Sequence, residues 1–124
     1  MKPHTPKNEL QRLAYATRNS LKGYRRVWQD EAAFRFQTVV LIVATPIAFW
    51  LANSWLQFGL LLGFWIAAMA AELGNSAIEA TVDRIGPEIH DLSGKAKDAA
   101  SAMVMTLMSL AGMIWLFVIL DRFA

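Results

Sequence analysis

Residues 36–71, FQTVVLIVATPIAFWLANSWLQFGLLLGFWIAAMAA, contain no charged side chain. As one helix rising about 1.5 Å per residue, this run would be about 54 Å long, far beyond a hydrocarbon core of about 30 Å. It must therefore hold a turn. Asn53-Ser54, polar and flanked by Trp50 and Trp55, is the natural place, because tryptophan favours the membrane interface and the backbone of a turn needs water. A second uncharged run, residues 99–120, is long enough for another crossing. The sequence thus predicts an all-α membrane protein with transmembrane helices at about 36–52, 55–77 and 99–120, the first bent at Pro46.

Composition points the same way. The 124 residues suffice for a single membrane domain, 56% are hydrophobic and 18% charged, and the mean hydropathy is +0.34, too apolar for an ordinary soluble domain. Cysteine is absent, which excludes a disulfide framework, thiolate zinc and a cysteine nucleophile; His4 and His90 lie too far apart to suggest a metal pair. The net charge of +2 hides a segregation. Eight of the twelve lysines and arginines precede the first span, three lie between Arg84 and Lys97, none lies in the Asn53 turn, and Arg122 follows the third span. That bias places the amino terminus and the second loop in the cytoplasm and the carboxyl terminus in the periplasm, in an inner, cytoplasm-facing membrane. Residues 1–35 do not read as a cleaved signal, since the apolar run begins too late, and residues 1–8, with Pro3 and Pro6, are expected to be disordered.

Residues 9–34 read as an amphipathic surface helix. At about 100° per residue, Leu10, Leu13, Leu21, Tyr24 and Trp28 gather on one side, and Arg18, Lys22, Arg25 and Arg26 on another. Such a helix lies in the headgroup layer with its cations toward anionic lipid or an anionic substrate, and this also makes nucleic acid an unneeded partner. Glu31 falls on the apolar side if the helix continues through Gly23, where a lone carboxylate is costly unless paired or bound to a cation. If the helix breaks near Gly23 or Asp30, Glu31 faces water instead.

Span two leaves the apolar layer through Glu72-Leu-Gly-Asn-Ser-Ala-Ile-Glu-Ala-Thr-Val-Asp-Arg84. Glu72, Asn75, Ser76, Glu79 and Asp83 fall within about 50° either side of one line. Three like charges on one face repel, so they call for basic partners or a divalent cation. Oxygen-only donors favour a hard ion, and magnesium commonly takes one or two protein carboxylates beside phosphate and water. Glu79 is a candidate ligand. Glu72, two turns nearer the membrane, is suited to accept a proton from an alcohol held at the lipid surface, while Asp83 also fits a solvated helix end.

The second loop opens with the turn Gly86-Pro87 and leads to a helix expected to start near Ser93 or Gly94. Ser93-Gly94-Lys95 is not a P-loop, because its earlier glycine, its following serine or threonine and a preceding strand are all missing. Lys97, Ser101, Met108 and Trp115 share one helix face, which puts a cation and a hydroxyl at the mouth of a lipid-facing groove; Lys97 alone could equally be snorkelling at a helix end.

The run Glu72-Leu-Gly-Asn-Ser-Ala-Ile-Glu-Ala-Thr-Val-Asp-Arg-Ile-Gly86, with Leu92-Ser-Gly-Lys-Ala-Lys-Asp98 and Asp30-Glu31-Ala-Ala-Phe-Arg35, closely resembles the small integral-membrane diacylglycerol kinase family of bacteria over about residues 10–122. The resemblance implies a homotrimeric bundle with active sites between subunits. It also implies transfer of the ATP γ-phosphate, with magnesium as cofactor, to the primary hydroxyl of diacylglycerol, giving phosphatidic acid. Carried residue by residue, it implies Glu72 as general base, Glu31 and Glu79 as magnesium ligands and Asn75 as their support. Arg12, Asn19, Glu31, Glu79, Glu88, His90, Lys97 and Asp98 would form the ATP set. Arg12, Ser20, Arg35, Glu72, Ser101 and Trp115 would form the lipid site. Leu21 and the pair Phe36-Gln37 depart from the pattern in the lipid region. Undecaprenol kinases of the same family share the phosphoryl-transfer residues, but Asp83-Arg-Ile-Gly-Pro-Glu88 and the Leu-Ser-Gly run look more like the diacylglycerol branch.

Three spans of one chain are expected to have too little interior to enclose these polar groups, so oligomerisation would cover them, with Ala67, Ala68, Ala70, Ala71 and Gly74 permitting close helix approach. A rival reading is a non-enzymatic membrane subunit whose Glu72 and Glu79 form an ion path. It lacks pore-facing polar residues through Leu60-Leu-Leu-Gly-Phe-Trp-Ile66.

Overall fold

The computed structural model describes residues 8–124; the expected amino-terminal disorder otherwise lies outside them, but Asn8 itself is ordered. Its side chain accepts from the Gln11 backbone N–H at 2.8 Å and starts α1, Glu9–Asp30, as a short acceptor before an acidic first turn does. Helix α1 passes through Gly23 but ends at Asp30, four residues short of the expected 34. Glu31 is extended, with φ −120° and ψ 108°, and its N–H closes the last turn on the Val27 carbonyl. Residues 32–34 belong instead to α2, Ala32–Leu51.

The described residues form two compact units that divide after Ala32. In the first unit, Leu10, Leu13, Leu21, Tyr24 and Trp28 are all exposed, so the apolar face of α1 is available to a membrane surface. The second unit, residues 33–124, holds the spans.

Helix α2 ends where the sequence placed the turn. Ser54 caps α3, Trp55–Ile85, its hydroxyl accepting from the Gln57 N–H at 3.1 Å. Pro46 lies inside α2 and removes one helix N–H. Helix α4 covers Asp91–Phe123 and starts two residues before Ser93. His90 caps it, with Nδ1 accepting from the Leu92 N–H at 3.0 Å. That acceptor lets the first turn form earlier than the Ser-Gly pair suggested. The 31 residues of α3 and 33 of α4 would extend about 46 and 50 Å, so both outrun a hydrocarbon layer of about 30 Å. All three of α2, α3 and α4 are long and apolar enough to cross a membrane, and no strand occurs among the described residues.

Lipid tails are as apolar as leucine, so packing and polar links, rather than escape from water, join such helices. Helices α3 and α4 approach each other through small side chains. Ala68, Ala71, Ala100 and Ala111 are buried, and a Cβ at Gly74 would stand 3.4 Å from the Met103 methyl carbon. Ala67 and Ala70 are less enclosed. At the far end, Ala48, Leu51, Leu61 and Val118 make a small apolar core. Two indoles tie the layers together: Trp65 Nε1 donates to the Gln37 carbonyl at 3.0 Å and Trp115 Nε1 to the Leu61 carbonyl at 3.1 Å.

Candidate active site

The polar face of α3 forms because Glu72, Asn75 and Glu79 recur at helical spacing where the apolar run gives out. Glu72 is 6% exposed and Asn75 8%. A single chain therefore encloses Glu72, contrary to the expectation that three spans have too little interior. The reason is the closeness of α3 and α4, set by alanine and glycine, together with Gln37 of α2, which covers the carboxylate from the other side. Gln37 Nε2 donates to Glu72 Oε2 at 3.4 Å. One turn on, Asn75 Nδ2 donates to Glu79 Oε1 at 3.3 Å. Each carboxylate thus receives one carboxamide N–H, and the other ends of those carboxamides, Gln37 Oε1 and Asn75 Oδ1, are buried without a partner. Buried acceptors without donors are uncommon and costly.

Beyond Glu79 the face meets α4. Lys97 Nζ lies 2.8 Å from Asp83 Oδ1, so Asp83 is a partner for a cation rather than merely a solvated end. Lys97 precedes the uncharged stretch of α4. The hydrogen bond that Lys97 donates to Asp83, the negative charge of Asp83 and the field of Glu79 hold the ammonium pKa above its ordinary value, so Lys97 is a cation throughout the neutral range. His90 and Asp98 border one open depression at the start of α4 together with Lys95. Glu88 is exposed beside it.

The lipid-side residues are spread out. Ser101 is exposed. Trp115 lies fourteen positions along the same helix, about 21 Å away, and with Met108, Trp65, Leu61 and Ile47 it lines an apolar groove of about 460 Å³ between α2, α3 and α4. Lys97 turns to Asp83 instead of to that groove, so the four residues read as one face serve two places. In the amino-terminal unit, Arg12, Asn19 and Ser20 are exposed on α1, with Arg12 3.2 Å from Glu9. Glu31 is half-buried at the helix break and Arg35 half-buried on α2.

Among the described residues, no three His, Cys, Asp or Glu side chains converge as a ready-made metal cluster. Glu79 offers carboxylate oxygens, one of them held by Asn75 Nδ2, whereas Asn75 Oδ1, the other end of that carboxamide, is buried and unpartnered. A lone carboxylate of this kind fits a hard cation that brings its own phosphate and water ligands. Sequence reasoning missed Gln37 as a partner of Glu72 and treated it as a departure at the lipid site. The usable signal was that Gln37 is the only carboxamide in residues 36–52, and a long polar side chain at that depth seeks an interior partner.

Comparison with known proteins places the chain in a family. The sequence profile of the prokaryotic diacylglycerol kinase family matches residues 18–119. The chain is 42% identical over 112 residues to the diacylglycerol kinase of Escherichia coli K12, covering 90% of this chain and 92% of that one. It is 38% identical over 106 residues to that of Haemophilus influenzae, covering 86% and 90%, and 37% identical over 118 residues to that of Pseudomonas aeruginosa, covering 95% and 96%. With three apolar helices long enough to span a bilayer and a buried carboxylate beside its carboxamide, the chain belongs to the prokaryotic diacylglycerol kinase family and is a membrane lipid kinase.

Proposed function

We propose that the chain transfers the γ-phosphate of ATP, in a magnesium-dependent reaction, to the primary hydroxyl of diacylglycerol at the cytoplasmic face of the inner membrane, working as a homotrimer. The observation that carries this reading is Glu72, 6% exposed at the membrane end of a polar face that runs through Glu79 to Asp83, where Lys97 of α4 pairs with it. Phosphoryl transfer asks little covalent chemistry of a protein; it needs charge neutralised and the alcohol placed in line. Glu72 accepts the hydroxyl proton as the lipid oxygen bonds to the γ-phosphorus, and the bond to the β-γ bridging oxygen breaks to release ADP. Glu31 and Glu79 would hold the metal, as the family resemblance implies, with Asn75 supporting Glu79 through its N–H. Magnesium, when bound, supplies positive charge to the phosphate oxygens.

Lys97 contributes a second positive charge, while His90, Asp98, Glu88, Arg12 and Asn19 orient the nucleotide. Ser20, Arg35 and Ser101 hold the lipid head, with Trp115 along the acyl chain. The basic face of α1, Arg18, Lys22, Arg25 and Arg26, attracts ATP and the anionic product to the headgroup layer. The excess of lysine and arginine before the first span supports the cytoplasmic assignment.

Transfer from radiolabelled ATP in mixed micelles, offering diacylglycerol and undecaprenol separately with magnesium or with a chelator, tests the proposal. Phosphatidic acid formed only with magnesium is the expected product. Polyprenol phosphate as the main product moves the substrate to the sister branch, and transfer that survives the chelator overturns the metal assignment.

A further inference from the structure

We infer that Gln37 is a positioning residue for the base: its Nε2 fixes one oxygen of Glu72 and leaves the other to take the proton of the lipid hydroxyl. The inference rests on the reading of Glu72 as general base. The root of the Gln37 side chain is itself fixed, because the Gln37 carbonyl accepts from Trp65 Nε1 at 3.0 Å and Phe34, one turn earlier, is buried. Gln37 is 5% exposed, and its Nε2 stands 3.4 Å from Glu72 Oε2. That is long for an N–H···O bond, as hydrogen bonds at catalytic groups often are before substrate is bound.

The unpartnered Oε1 argues against a merely structural role. A leucine or methionine would fill the same space without burying an orphan acceptor, so what the carboxamide adds at this position is its donor. The chemistry also favours an amide. A lysine or arginine there would neutralise Glu72 and weaken it as a base, and a second carboxylate would compete for its proton. A neutral N–H orients the carboxylate without doing either.

The test uses the full chain in mixed micelles, with Gln37→Met, Gln37→Asn and Glu72→Gln measured in parallel. Methionine keeps the length and removes donor and acceptor together. The expected result for Gln37→Met is a fall in kcat of tenfold or more, a KM for ATP within twofold of wild type, and a thermal midpoint unchanged or higher, since the orphan acceptor is gone. Gln37→Asn, whose amide is one methylene too short to reach, is expected to lose kcat in the same way; it decides the matter if the methionine variant does not fold. A kcat within twofold of wild type beside an inactive Glu72→Gln overturns the role of Gln37 and leaves the base intact. Loss of activity in step with a lowered thermal midpoint or a raised KM also overturns it. Full activity in Glu72→Gln overturns the reading of the base, and this inference with it.

Discussion

Enclosing Glu72 at 6% exposure removes a carboxylate from water, and the single long bond from Gln37 does not offset that desolvation. Glu72→Leu is therefore predicted to raise the thermal midpoint in detergent while abolishing transfer, the opposite signs expected where function is retained at the cost of stability. A lower midpoint would mean that the carboxylate is structural. His90 caps α4 and is proposed to orient the nucleotide, and substitution separates the two. As the cap of α4, its loss in His90→Ala costs about 1 kcal/mol, whereas His90→Asn restores an acceptor. If His90 also touches ATP, His90→Asn keeps the midpoint but raises KM for ATP; an unchanged KM would remove His90 from the nucleotide set. Glu72, Glu79 and Lys97 were legible in the sequence because helical spacing alone puts like charges on one face or a cation at a helix mouth. Gln37 was not, since its role depends on a contact 35 positions away that no local pattern encodes.

Helix ends show the same division between local and distant information. The Asn53-Ser54 turn was readable because the capping serine, the flanking tryptophans and the length limit of a span all lie in one short stretch. The start of α4 was misplaced because histidine is not among the usual capping residues, and the break at Glu31, one of two alternatives the sequence left open near Asp30, has neither proline nor glycine to fix it. The turn between α2 and α3 is also clasped to the end of α4. Gln57 Oε1 accepts from the Asn53 N–H at 2.8 Å, Gln57 Nε2 donates to Asp121 Oδ2 at 3.1 Å, and Arg122 donates to Asn53 Oδ1 at 3.0 Å while lying 5.3 Å over the Trp50 ring. Gln57→Leu removes two of these bonds and is predicted to cost about 1–2 kcal/mol in detergent unfolding. Its kcat should be unaffected, since Gln57 lies about 22 Å along α3 from Glu72. A loss of kcat without a loss of stability would contradict that separation. On α1, Arg25→Gln with Arg26→Gln is predicted to raise KM for ATP at low salt and to flatten its salt dependence. An unchanged salt profile would leave the basic face to lipid alone.

Across the whole molecule, most of the apolar surface of the spans is uncovered. Val39, Ile42, Val43, Ile47 and Phe49 of α2 and Met105, Met113, Leu116 and Phe117 of α4 are all exposed. Such faces meet lipid or a second copy, and the proposed homotrimer predicts a protein mass near three times 13.9 kDa by sedimentation equilibrium in a density-matched detergent; a monomeric mass with full activity would contradict it. Oligomerisation is no longer needed to bury Glu72, since alanine and glycine at the α3–α4 contact achieve that within one chain. What a trimer would add is closure around the charged ends of α3 and α4, where Glu79, Asp83, Lys97 and Asp98 stand. Whether this buried carboxylate takes the proton of the lipid alcohol is decided by Glu72→Gln in the diacylglycerol transfer assay. A fall in kcat of about 10²–10⁴ with KM for ATP retained is expected; transfer at the wild-type rate would contradict the role of Glu72 as base.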